Sequence, residues 1–290
     1  MPLDAEDASE LFRREPERFL DMGDSEVAYR RVGQGPDVLF VHGWPVSSAT
    51  FRVLLPHLAD HVTCHLIDLP GAGSSRFTAD STLTLQNHID SVRRVVDLLG
   101  LDDVAVVGHD SGGLIARHAM AGDPRLRAMG LIDTELAAHN GWKFTAFVAS
   151  RHLPGFGRAL GWAAGKPRVR KSRLIFGDAF HDRSRLDGEF ADFFLEPLHN
   201  SPTHLSAATR LLKSYDPALV HQLESIHSRI DVPVVLVWGE HDRFFPMKRA
   251  ETMAREFPTA HLEVIPHAGL FAHEENPLDV ARALLPAIVP

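Results

Sequence analysis

The stretch "VAVVGHDSGGLIARHAMAG", residues 104 to 122, limits the possible fold more than any other. A short apolar, β-branched run reads as a buried strand, and a helical stretch follows with no loop between them. A strand that turns directly into a helix needs small residues two before and two after the turning residue, because the backbone there is tight and strained. Gly108 and Gly112 bracket Asp110 in this way. The register therefore places Asp110 at the turn and Ser111 beside it. The plainer role for such an aspartate is to cap the following helix, but the complete bracketed motif after an apolar strand favours the turn.

Around this stretch, apolar runs alternate with amphipathic helical ones, the pattern of an α/β fold with a mainly parallel sheet flanked by helices. "EVAYRRV", "DVLFVHG", "VTCHLID", "DVAVVGHD", "AMGLIDT", "VPVVLVWGE" and "HLEVIP" read as strands. In "LTLQNHIDSVRRVVDLLG" the apolar residues Leu83, Leu85, Ile89, Val92, Val95, Val96 and Leu99 are spaced for a helix ending at Gly100. The alternation lapses between 136 and 229, where aromatic-rich helical pieces carry no buried parallel strand. That segment is expected to be a helical cap over a pocket at the strands' carboxyl ends, with 1–135 and 230–290 forming the core. Within it, five basic residues between Lys166 and Arg173 are expected to lie on a solvated face.

A formal charge of −8 argues against nucleic acid as partner. No run of 18 apolar residues offers a membrane span, and the acidic N-terminal stretch lacks the pattern of a secretory signal. The single cysteine, Cys64, excludes an intramolecular disulfide and sits in an apolar run, as an inert core residue would. A cytoplasmic protein acting on a small molecule is the expectation. The 18 histidines show no metal-ligand spacing, so no metal or cofactor is expected.

In "VLFVHGWPVSSATF" a second buried strand runs into His42-Gly43-Trp44-Pro45, a turn suited to lend the Trp44 N–H to an anion site together with the N–H of Ser111. An aspartate at the Asp110 turn matters chemically. It attacks sp3 carbon to give an alkyl ester, whereas a serine there would attack an acyl carbon.

Together these motifs resemble the α/β-hydrolase fold, and within it the aspartate-nucleophile branch of haloalkane dehalogenases, haloacetate dehalogenases and epoxide hydrolases. The likeness runs over nearly the whole chain from about residue 20, including "LIDLPGAGSS" and "WGEHDRFFP". It implies a cap inserted after the sixth strand, Asp110 as nucleophile, and His42, Gly43, Trp44 and Ser111 around the anion or substrate. It also implies a carboxylate that orients a histidine base. Asp242 matches the commoner acid position, and Glu135 the position after the sixth strand. The base should follow Ala268-Gly269, but "AGLFAHEE" places Leu270 there. Leucine accepts no proton, so ester formation is expected to survive and ester hydrolysis to be impaired. His267 is the possible substitute base, and His273 a non-catalytic neighbour.

The chain also departs from each subfamily. Ser111 stands where haloalkane dehalogenases carry a halide-binding tryptophan and haloacetate dehalogenases an arginine, which leaves the Trp44 indole as a possible halide donor. Epoxide hydrolases use cap tyrosines, and only Tyr29 and Tyr215 are available, with Tyr215 near one such position. The expected activity is cofactor-independent hydrolysis of a small, apolar alkyl halide or epoxide. A non-hydrolytic binding protein, or a lyase or cyclase on the same fold, is the alternative.

Overall fold

The computed structural model describes residues 3–137 and 140–290. Its strands are β1 (Arg18–Asp21), β2 (Ser25–Gly33), β3 (Asp37–Val41), β4 (Thr63–Asp68), β5 (Arg76–Phe77), β6 (Val104–His109), β7 (Leu126–Ile132), β8 (Val234–Gly239) and β9 (Ala260–Ile265). They form one sheet in the order β1-β2-β4-β3-β6-β7-β8-β9, with β5 paired to β2. The pairs involving β2 are antiparallel, and every pairing from β4–β3 to β8–β9 is parallel. β4, β6 and β8 are buried along their entire length. Helices on both faces of a parallel sheet leave no solvent side, hence continuous apolar runs rather than alternation. The two strands without a sequence signal, β1 and β5, have four and two residues and lie at the antiparallel end.

The helix Leu85–Leu99 begins where the Thr84 hydroxyl accepts the Asn87 N–H at 3.1 Å and ends at Gly100, whose φ of 63° is left-handed. Glycine adopts that conformation without a Cβ clash. Leu85, Ile89, Val92, Val95 and Val96 face the core, as their spacing requires. Cys64 is buried in β4, and burial pushes its thiol up to about 12, so it stays protonated and unreactive.

Between β7 and β8 the described residues run through helices, among them Trp142–Ser150, Phe156–Ala164 and Pro202–Lys213, with no strand. With the two-residue β5 set aside, β7 is the sixth strand in chain order. The basic run departs from its expected place on a solvated face at one position. Lys166, Arg168 and Arg173 are exposed, but Arg170 is buried and pairs with Asp187 at 2.9 Å and Glu196 at 3.4 Å. Among the described residues no helix is long and apolar enough to cross a membrane.

Candidate active site

β6 delivers Asp110 and the helix Ser111–Met120 carries the chain away. Asp110 takes φ 51°, ψ −133°, a conformation disfavoured for any residue with a Cβ. The neighbouring glycines make it possible. A Cβ at Gly112 would collide with the carbonyl oxygens of Val41 and His42, and one at Gly108 would lie 2.6 Å from the Cα of Gly113. The turn is tied down from both sides, because the Asp110 carbonyl accepts the Gly113 N–H at 2.9 Å and the Thr134 hydroxyl at 2.7 Å. The Asp110 side chain makes no capping bond to the helix that follows, so the capping role is set aside. Gly112→Ala is expected to lower stability by about 1–3 kcal/mol, the usual cost of forcing extra atoms into a packed site. A denaturant midpoint matching the parent would contradict the packing described.

The carboxylate of Asp110 is held by one oxygen. Its Oδ2 accepts the Trp44 N–H at 2.9 Å and, weakly, the Ser111 hydroxyl at 3.4 Å. Gly43 passes so close that a Cβ there would sit 2.5 Å from Asp110 Oδ2. His42 braces this loop with both ring nitrogens: its Nδ1 donates to the Gly43 carbonyl at 2.8 Å and its Nε2 accepts the Leu69 N–H at 2.9 Å. Both ring nitrogens are thereby used. The Trp44 indole is likewise committed, since its Nε1–H donates to the Ala208 carbonyl at 2.9 Å. Its expected role as a halide donor is corrected: only the main-chain N–H of Trp44 reaches the carboxylate.

Over Asp110 lies an apolar cavity of about 90 Å³. Its lining includes Phe144, Phe147 and Tyr215 from the segment between β7 and β8, with Ser111, Glu135 and Leu270 from the core. Trp142, at the start of the same helix as the two phenylalanines, is 73% exposed. Among the described residues, the ionisable side chains on the cavity wall are those of Asp110, Glu135 and Tyr215. Burial pushes Asp110 up to about 6, against hydrogen bonding from Ser111 and the Trp44 main chain. Glu135 is pushed up to about 8, first by burial and then by the charge of Asp110, with the buried Arg117 opposing. Both carboxyls are thus raised by their apolar surroundings, Glu135 the further of the two, which makes Glu135 the better placed to hold a proton. Burial, and then Glu135, also raise Tyr215.

Leu270 is buried and lines the cavity; its carbonyl accepts the His109 Nε2–H at 3.0 Å. His109 is itself completely buried, pushed down to about 3 by that burial. His267 does not substitute for the missing base. It is exposed, off the cavity wall, and clusters with His181 and His241. His273 is buried and its Nε2 meets the Thr50 hydroxyl at 2.7 Å.

Asp242, after β8, accepts the N–H groups of Phe244 and Phe245 on Oδ1 at 2.7 and 3.0 Å. No amide or hydroxyl donor reaches its Oδ2. Facing it is Asp133, a residue sequence reasoning missed. Asp133 is fully buried at the end of β7 with a left-handed φ of 37°, and its Oδ1 accepts the Gly239 N–H at 2.7 Å. Burial, and then the charge of Asp242, raise Asp133 well above the carboxylate range. Asp242 is lifted to about 7, chiefly by burial, against the hydrogen bonds from the Phe245 and Phe244 main chains. Its signal in the sequence is "GLIDTE", where an acid ends a buried strand two residues before Glu135.

Residues 36–277 match the family model for the alpha/beta hydrolase fold. Among curated proteins, a pimeloyl-acyl-carrier-protein methyl ester esterase of Chromobacterium violaceum is 30% identical over 266 residues, covering 87% of this chain and 94% of that protein. An uncharacterized hydrolase of Bacillus subtilis is 27% identical, with 82% and 84% covered. Of solved structures, an alpha/beta hydrolase fold protein from Burkholderia ambifaria superposes with TM-score 0.74 at 24% identity, covering 93% of this chain and 99% of its own. An epoxide hydrolase superposes at 0.76 with 18% identity, covering 93% and 98%; at such identities the likeness shows the fold alone.

Proposed function

Because the chain belongs to the alpha/beta hydrolase fold family and carries an aspartate at its tight strand–helix turn, we propose that it opens small apolar epoxides through an alkyl ester on Asp110. The observation that carries this reading is the cavity wall. Asp110 and Glu135 share one apolar pocket that raises Glu135 the further, fitting Asp110 to attack and Glu135 to give a proton, with Tyr215 as a second hydroxyl donor. An epoxide needs both a nucleophile and a proton. Asp110 Oδ1 attacks a ring carbon, the C–O bond breaks, and the Glu135 proton passes to the departing oxygen. The ester carbonyl oxygen remains Oδ2, where the Trp44 N–H already points.

Esterification removes the charge of Asp110, which was one cause holding Glu135 up. Glu135 then becomes the only carboxylate on the wall able to take a proton from water. The hydroxide attacks the ester carbonyl, the C–O bond to the diol breaks, and the leaving alkoxide takes the proton of the newly formed Asp110 carboxyl, which ends ionised. The pair ends with the one proton it began with. A neutral-to-basic buried carboxyl is a poorer base than an oriented imidazole, so slow release of the ester follows.

An alkyl halide is the second reading, since its displacement needs no proton donor. It is less well served here, because the only tryptophan on the wall has its indole N–H occupied by Ala208. Ester cleavage, suggested by the names of the relatives, would make a carboxylate expel an alkoxide through a mixed anhydride, a harder step than attack on sp3 carbon. A non-hydrolytic binding protein predicts no covalent species.

Intact-protein mass spectrometry after incubation with a small terminal epoxide, the matching alkyl bromide and a methyl ester separates these readings. The expected species is the parent plus the whole epoxide, absent in Asp110→Asn. No adduct with any of the three, or an epoxide adduct that persists in Asp110→Asn, overturns the proposal.

Two further outcomes follow. Adduct formation from an epoxide should rise with pH as Asp110 ionises near 6 and fall again as Glu135 loses its proton near 8. A rate flat from pH 5 to 9 would contradict that assignment. Phe144→Ala and Phe147→Ala should each admit longer epoxides, and Trp142→Ala, on the exposed side, should leave chain-length preference unchanged. Competition between epoxides of graded length checks this.

A further inference from the structure

Outside the cavity, three histidines from three separate loops meet at the surface. His181 comes from the segment between β7 and β8, His241 from the turn after β8, and His267 from the loop after β9. One ring nitrogen of each lies within 4.8 Å of those of the other two. The His181 and His241 rings stack at 4.6 Å, and His267 lies 5.6 and 6.4 Å from them by ring centroids. Their positions are too far apart in sequence for a spacing motif to mark them, which is why the sequence alone gave no reason to expect a metal.

We propose that His181, His241 and His267 form a binding site for a borderline divalent transition metal of the zinc class. Three neutral imidazoles with one open position are a common zinc ligand set. Tetrahedral ligands at about 2.0–2.1 Å lie about 3.4 Å apart, so the rings must close by roughly 1 Å. All three are exposed, so side-chain rotation achieves this and the ion has an open route in. A fourth ligand is at hand: Glu240 Oε2 lies 3.6 Å from His241 Nε2 and accepts the His267 N–H at 3.3 Å.

The backbones that carry the rings are already fastened to one another. Glu275 accepts the N–H of His181 at 3.1 Å, of Asp182 at 2.7 Å and of Gly269 at 2.7 Å. The His241 N–H donates to the Ala268 carbonyl at 2.8 Å. The metal therefore meets three preplaced donors and needs little chain ordering to bind. Bound, it ties the helical segment through His181 to the loops that bear Asp242 and Leu270.

Tag-free full-length protein, stripped with chelator and titrated with zinc by calorimetry, tests this. One zinc per chain is expected, with affinity reduced at least about tenfold in each of His181→Ala, His241→Ala and His267→Ala. Zinc should raise the melting temperature of the parent and not that of the triple variant. Cobalt(II) should give the visible absorption of a tetrahedral site in the parent only. No saturable isotherm, or one unchanged in the triple variant while circular dichroism shows it folded, overturns the proposal. Either result stands apart from epoxide chemistry, since no histidine of the cluster lines the cavity.

Discussion

Leu270→His is expected to speed the breakdown of the Asp110 ester by about a hundredfold to ten-thousandfold, the usual contribution of a positioned general base. Leu270 is 7% exposed and already forms part of the cavity wall, so a ring in its place meets the ester from the pocket side. The acid such a base needs is present and underused. Asp242 Oδ2 has no amide or hydroxyl donor, and the N–H of an imidazole would supply one while the second nitrogen takes a proton from water. The rate of ester formation should change little, because that step needs no base. Trapping the adduct, removing excess epoxide and following the return of the parent mass gives the hydrolysis rate directly. An unchanged rate would mean that Leu270 is not what limits release. Adding Asp242→Asn to the Leu270→His chain should cancel most of the gain, and the same change should matter little while Leu270 remains.

The second large effect is expected for Glu135→Gln, and its value lies in the contrast between two substrates. Glutamine keeps the size and a hydrogen-bond donor but has no proton to give. Epoxide opening should therefore slow by about a hundredfold or more, whereas displacement of bromide from a matching alkyl bromide should slow far less. The adduct, once formed, should also persist longer, since Glu135 is then no longer there to take a proton from water. Quench-flow with intact-mass detection measures both rates. Equal losses for the two substrates would assign Glu135 to packing around Thr134 and Arg117, which it also contacts, with Thr134 Oγ1 3.1 Å from its Oε2 and Arg117 donating to its carbonyl at 2.8 Å.

The legible parts of this molecule are those fixed by local chemistry. The turn at Asp110 could be read because only glycine fits at 108 and 112, and the helix ending at Gly100 because a left-handed cap asks for glycine. The buried parallel strands stood out as apolar runs for the reason given by their position in the sheet. What sequence could not show depends on which distant groups a side chain finds. The Trp44 indole looked free until the chain brought the Ala208 carbonyl to it. His42 looked like a ligand to the site until Leu69 and Gly43 claimed its ring. His267 sits three residues from position 270 but on the outer surface, beside His181 and His241 from other loops. Asp133 went unread because its meaning comes from Asp242, more than a hundred residues on. The state of Glu135 depends on burial and on Asp110 together, and neither can be summed from local sequence.

The central claim is that Asp110 forms a covalent ester, and the fate of water oxygen tests it most directly. A single turnover of epoxide in heavy-oxygen water, run to completion with enzyme in excess, should leave the heavy atom in the carboxylate of Asp110 and the diol unlabelled. Hydroxide attacks the ester carbonyl, so the oxygen delivered to the product is the one Asp110 already carried. Peptide mass spectrometry of the Asp110 region and analysis of the diol read both fates at once. Heavy oxygen in the diol on the first turnover, with none in the Asp110 peptide, would mean that water attacks the substrate directly, and the ester account would be wrong.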